Sequence, residues 1–513
     1  MKKDVCKALF TLLLAPLFLS GCWQEPAAPD TSQLLTEELG GGKQEQPPVL
    51  PAAFTLPYAP GQSLDPITCA DGMQQVVGGL LYEGLFELDT RLQPQEVLCA
   101  GYTYDEASFT YVFSLRAGVT FTDGTVLTAG DAAAALNRAR SSARYGARLS
   151  KVSSITAGQG TVTVVLTAPS TALPALLDIP IVKAGTESAA VPVGTGPYVF
   201  TTDSGGPCLA ANAAWWRQEA CPVERIGLSA AADQDAMLYQ FTSHDVQLMT
   251  ADLTGTAPVS VTGSISFQDA DTTILQYLGF NTQRAPFDSA ALRRALGRGL
   301  DRESLVSAFL SGHGAAAQAP ISPVSALYPS SLDEVYSYDA FAEAMSAAGY
   351  ASGASRSVTL LVNSENSFKV SAAQAIAQAL SVFDLSVEVQ SLPWEEYTAA
   401  LAAGRFDLYY GEVRLTADWD LSPLLSPGGS LNYGGWANPQ TEQLLTAFAS
   451  AQDRAAAAEA LCAHLREQSP IVPLCFKSTS VLVQTGVAEN LRPTMANPFY
   501  AFSSCAIHLR QGG

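Results

Sequence analysis
The sequence predicts an α/β protein of more than one domain. Three observations carry this. Its 513 residues exceed the size at which one core usually stops growing. Its composition, 48% hydrophobic and 15% charged, excludes a disordered chain. Residues 338–413 alternate strand-like and helix-like patterns, as βαβ units do.

The elements follow in chain order. Tyr111, Phe113 and Leu115 alternate with Val112, Ser114 and Arg116, a period of two that predicts a strand with one apolar face. Asp123-Gly124 supplies a tight turn. Thr128 followed three places later by Asp131 has the form of a helix cap, and the helix continues to Arg140. Asp288 and Asp301 are expected to cap two successive helices, with Gly312 or Gly314 at the exit. Asp339 is expected to cap a helix that Gly349 ends, before a strand over 358–362 and a helix over 368–383. A strand over 385–389, a helix over 394–403 stopped by Gly404, and a strand over 406–413 complete the pattern. Such alternation implies a mostly parallel sheet.

The N-terminus reads as an address. Lys2, Lys3 and Lys7 precede an apolar stretch over 8–19, which is signal-peptide length and too short to span a bilayer. Leu19-Ser20-Gly21-Cys22 looks like a bacterial lipobox, so residues 1–21 form the expected signal peptide and Cys22 the lipidated N-terminus. Residues 22–50, broken by Pro26, Pro29, Gly40 to Gly42, Pro47 and Pro48, read as a tether. Cys208 and Cys221 bracket a short segment; they are either a disulfide or two small buried thiols.

Charge and motifs narrow the chemistry. Forty-eight acidic against 28 basic residues, a net charge of −20, argue against nucleic acid as a partner. No Gly-x-Ser-x-Gly elbow, His-Glu-x-x-His or Walker loop occurs. Gly194-Thr195-Gly196-Pro197 reads as a turn, because Pro197 has no N–H to offer a phosphate. Four scattered histidines and no Cys-x-x-Cys give no metal site, and no cofactor is expected.

Several segments, in order, resemble the family 5 extracellular solute-binding proteins of ABC importers, the oligopeptide, dipeptide and nickel binders. They are Leu64-Asp65-Pro66, Leu81 to Phe86, Tyr111 to Gly124 running into Leu127 to Asp131, and Val193 to Tyr198. Asn212 with Trp215-Trp216 follows, then Tyr277 to Asn281, Pro286 to Asp288, Arg293 to Leu296 and Asp301 to Glu303. Weaker echoes at Tyr338-Asp339 and Pro470 to Leu474 extend the likeness to about residue 480.

The resemblance implies a two-lobed periplasmic-binding-protein-like fold (class II) with an extra subdomain. Lobe I takes 51–83, 184–268 and 482–513, the inserted subdomain 84–183, and lobe II 269–481. It implies a protein held outside the cell by its lipid, a monomer that captures peptides between the lobes without chemistry. The peptide then passes to an ABC permease driven by ATPase subunits. Other guests consistent with the fold are a nickel chelate, an oligosaccharide or another small solute. A secreted hydrolase is a separate reading, supported by export and abundant carboxylates.

A peptide guest brings an ammonium that is costly to bury unpaired. In the oligopeptide binders an Asp within Ala-Asp-aromatic takes that amine, so the role is carried to Asp418 in Ala417-Asp418-Trp419, with Asp420 in reserve. Trp419, Tyr433, Trp436 and Trp394 are the expected aromatic walls. Arg414 stands where the family often has Gly or Trp, and can pair with a ligand carboxylate.

Overall fold
The computed structural model describes residues 50–351 and 355–510. The expected signal peptide, Cys22 and nearly all of the tether lie outside the described residues.

Three sheets organise the chain. In the first, Phe54–Tyr58 lies parallel to Arg225–Ala230, followed by Gly206–Ala211 and Tyr198–Asp203, both antiparallel. Helix Gly72–Leu81 packs Val76, Val77 and Leu80 into the core beneath it, and Asp71 caps its start through the Gln74 N–H.

The second sheet is antiparallel, in the order Cys99–Asp105, Thr110–Leu115, Thr161–Leu166, Val152–Ala157. Its period-two pattern is direct: Tyr111 and Phe113 are buried on one strand, Val162, Val164 and Leu166 on its neighbour. Helix Ala129–Arg140 covers it with Ala132, Leu136 and Ala139. The expected capping box is present, with Thr128 accepting from the Asp131 N–H while the Asp131 carboxylate accepts from the Thr128 N–H at 2.9 Å.

The third sheet has seven strands. Arg356–Asn363 lies between Leu385–Leu392 and Leu408–Arg414, parallel to both, with helices Ser367–Leu380 and Trp394–Ala402 as crossovers. The expected βαβ run is therefore real, but a mostly parallel sheet is not. Two long strands, Ile265–Phe280 and Ile471–Gln484, run antiparallel to their neighbours and take part in four of the sheet's six strand pairings. Their 16 and 14 residues let them cross from one core to another, from Val481 and Val483 under the first sheet to Leu278 and Val472 under the third.

Two expected caps shift. Ser289 and Ser337, rather than Asp288 and Asp339, cap Ala290–Arg298 and Tyr338–Ala347. Each hydroxyl reaches the third amide of the helix, while Asp339 falls in the first turn, where the helix dipole favours a negative charge. Among the described residues no helix is long and apolar enough to cross a membrane.

Candidate functional site
A cavity of about 1140 Å³ opens where these bodies meet. One wall comes from the helix Gly72–Leu81 and the segment after it, with Tyr82, Glu83, Phe86 and Glu87. A second comes from Arg144, Tyr145, Arg148 and Asp178, and a third from Trp215 and Arg217. Residues 414–417, beginning with Arg414 at the end of its strand, and 494–497 close it.

Local structure explains these positions. Gly194-Thr195-Gly196 presses on the helix end so closely that a Cβ on Gly196 would lie 2.6 Å from the Leu80 carbonyl oxygen. The segment is a packing turn, as expected, and Thr195 Oγ1 donates to Glu83 Oε2 at 2.8 Å. Trp215 and Trp216 sit in the turn after the strand Gly206–Ala211, where the Trp215 N–H donates to the Asn212 carbonyl at 2.9 Å.

Most charges on the cavity wall are matched inside the protein. Glu83 accepts from Trp216 Nε1 at 2.7 Å and from Thr195, and Arg217 Nε lies 3.4 Å away. Burial nevertheless pushes the Glu83 carboxyl up. The Arg217 guanidinium stacks 5.4 and 5.2 Å from the Trp215 and Trp216 rings. Arg148 is paired with Asp178 and lies over the Tyr145 ring; burial pulls its guanidinium down to about 10. Arg144 donates to the Cys69 carbonyl at 3.1 Å and to Gln75 Oε1 at 3.1 Å. Arg414 is exposed and, among the described residues, has no hydrogen bond or ion pair from its side chain.

Of the expected site residues, Arg414 is on this wall. Asp418 is not. Its neighbours Thr416 and Ala417 line the cavity, but the Asp418 side chain is buried in a separate, nearly filled niche with Lys151, Phe448 and Arg454. Its carboxylate accepts from Thr416 Oγ1 and the Asp420 N–H, and burial pushes its pKa up. Asp420 is in the same niche, paired with Lys151 Nζ at 2.7 Å.

The expected aromatic walls do not line this cavity. Trp419 is fully buried, edge-on to Phe476 at 5.8 Å, and so is core. Trp436 is buried under the Arg293 guanidinium and donates from Nε1 to Thr441 Oγ1 at 3.2 Å. Tyr433 stands against Tyr409, and Trp394 is 59% exposed beside Tyr397. The cavity takes its aromatic surface instead from Tyr82, Phe86, Tyr145 and Trp215. Two segments noted for resemblance, Leu81 to Phe86 and Trp215-Trp216, were the available signal.

Cys208 and Cys221, the candidate disulfide, are free thiols. Cys208 Sγ contacts Asp203 Oδ2 at 3.4 Å and Cys221 Sγ the Pro197 carbonyl at 3.4 Å, so each has its own partner. Ser480, His313 and Asp269 gather, but not as a nucleophile and base. Ser480 Oγ donates to Asp269 at 2.6 Å, and Asp269 at 3.0 Å and Ser480 at 3.4 Å both face the same His313 nitrogen, Nδ1, whereas a triad places them at opposite nitrogens.

Comparison with known proteins places these features. The profile of bacterial extracellular solute-binding proteins, family 5 (middle region), matches residues 93–432. The glutathione-binding protein GsiB of Escherichia coli O1:K1 is 26% identical over 443 residues, 80% of this chain and 86% of that protein. A nickel ABC transporter structure from Bacillus halodurans superposes with a TM-score of 0.73 at 20% identity, covering 87% of this chain and 98% of its own. The unliganded open form of the murein tripeptide binding protein MppA gives 0.73 at 19%, covering 90% and 98%. The α/β, two-lobed binding-protein fold expected from the sequence is the fold these structures share with the chain.

Proposed function
Because the chain belongs to the bacterial extracellular solute-binding proteins of family 5, we propose that it captures short peptides in the 1140 Å³ cavity and hands them to an ABC permease. The observation that carries this is the unpaired Arg414 guanidinium on a wall whose other arginines each have an ion-pair or hydrogen-bond partner among the described residues. A ligand carboxylate is the natural partner of such a cation. Tyr82, Phe86 and Tyr145 offer wide apolar surface that tolerates varied side chains.

In this reading the protein works outside the cytoplasm as a monomer, held to the membrane by a lipid on Cys22. It transports and does not catalyse. Ser480, His313 and Asp269 are wired to hold a surface together, which supports a binding role over a hydrolytic one. Among the described residues no three His, Cys, Asp or Glu side chains gather as a metal site, so a nickel guest would have to arrive already chelated.

A thermal-shift screen tests the proposal, using glutathione and mixed di- to hexapeptides with native mass spectrometry of the product. Tight binding without turnover raises the melting point by mass action. No shift with any peptide, or a cleaved peptide in the mass spectrum, overturns it.

A further inference from the structure
The charges of the cavity leave one carboxylate without a full partner, and it is not Asp418. Glu83 has Trp216, Thr195 and Arg217 as partners, and Asp178 is ion-paired with Arg148. Glu87 differs. Among the described residues its carboxylate accepts no hydrogen bond, and its nearest cation, Arg217 Nη2, stands 3.7 Å away while that guanidinium also serves Glu83.

The position is built rather than incidental. Phe86 and Leu88 on either side of Glu87 are buried, whereas its own side chain keeps 31% exposure and faces the cavity. Leu88 packs with Ala175 and Ala417, so this short strand touches the segment that follows Arg414. Burial pushes the Glu87 carboxyl up, and Arg217 offsets this only in part.

A second, independent group lines the same cavity. Trp215 lines the cavity, is only 8% exposed, and its Nε1–H has no acceptor in the protein. Buried indole N–H groups normally have one. An unmet donor and a weakly paired carboxylate lining one cavity, both next to Arg217, are complementary to an ammonium with a carbonyl on the adjacent carbon. That is the amino end of a peptide.

We propose that Glu87 and the Trp215 indole N–H form the subsite for the primary ammonium and adjoining carbonyl of a peptide guest. This rests on the peptide reading above, in which Arg414 takes a carboxylate. Among the described residues, Glu87, which shares Arg217 with Glu83, and the unpaired Arg414 then match the two ends of a zwitterion.

The test is isothermal calorimetry with glutathione, trialanine and N-acetyl-trialanine on the wild type and on Glu87→Gln, Glu87→Asp and Trp215→Phe. Glu87→Gln is expected to weaken whichever free-amine peptide binds by at least about tenfold and N-acetyl-trialanine by less than about twofold. Glu87→Asp, which keeps the charge, is expected to retain part of that preference and so serves if the glutamine variant is misfolded. Trp215→Phe is expected to weaken free and acetylated peptides alike. Binding by the wild type with no selective loss in either Glu87 variant overturns this subsite and leaves the peptide reading standing. No binding of any probe by the wild type overturns both.

Discussion
Lys151 Nζ lies 2.7 Å from Asp420 Oδ2, an ion pair between residues 269 positions apart in the chain. It ties the body built on the antiparallel sheet to the body built on the seven-stranded one. Beside it the Thr171 N–H donates to the Ala449 carbonyl at 2.9 Å and Thr171 Oγ1 to that of Ala451 at 2.9 Å. These contacts close one side of the junction whose other side is the cavity.

Lys151→Ala is expected to weaken peptide affinity by less than about 1 kcal/mol, because both partners remain partly exposed to water and salt. Burial alone would raise Asp420, but the Lys151 and Ser422 hydrogen bonds outweigh it and hold its pKa down. The pair's contribution is therefore full above the ordinary carboxylate value, about 3.9, and lost as pH falls through the lower folded value. Calorimetry at two salt concentrations checks this; an effect that grows with salt would refute it.

Asp418 has the opposite sign. Its pKa is raised by burial, so its charge costs stability at neutral pH and the cost vanishes on acidification. Asp418→Asn keeps an acceptor for Thr416 and the Asp420 N–H. It is expected to raise the melting point at pH 7 and to flatten its slope toward lower pH. An unchanged slope would show that this carboxylate is ionised without penalty.

Arg414→Gln is expected to weaken carboxylate-bearing peptides by about 1.5–3 kcal/mol, the range for a lost charged hydrogen bond. C-terminally amidated peptides should lose little. Equal losses for acid and amide, measured by titration, would remove Arg414 from recognition.

Gly196→Ala places a methyl against the Leu80 and Leu81 backbone, which cannot rotate away. A destabilisation of about 1–3 kcal/mol is expected in denaturant unfolding, with displacement of the neighbouring Tyr82 wall. A variant as stable as wild type would mean that the turn moves freely.

The tryptophans separate core from surface. Trp419→Ala should cost about 3–5 kcal/mol through the cavity left beside Phe476. Trp394→Ala, at an exposed helix start, should fall within about 0.5 kcal/mol of wild type. The same melts that rank these two would expose an error in either.

Much of the local structure was legible in the chain. The alternation at Tyr111 and Phe113, the Thr128–Asp131 box, the Asp301 cap and the 358–413 crossovers all appear as expected, because each depends on neighbours within a few residues. The cavity lining was legible in part. Arg414 falls on the cavity wall, whereas Asp418, Trp419, Tyr433, Trp436 and Trp394 do not.

What the sequence determined by itself was the α/β class, the order of elements and, through ordered short resemblances, the family. Period, caps and turns are written in local chemistry, so they can be read without coordinates. Only the tertiary structure decided which side of each segment meets the cavity. Asp418 and Thr416 are two residues apart, yet one is buried in the niche with Phe448 and the other lines the cavity. That choice depends on Lys151 and Arg454 arriving from other segments, and packing between remote parts of a chain leaves no period for a sequence to show.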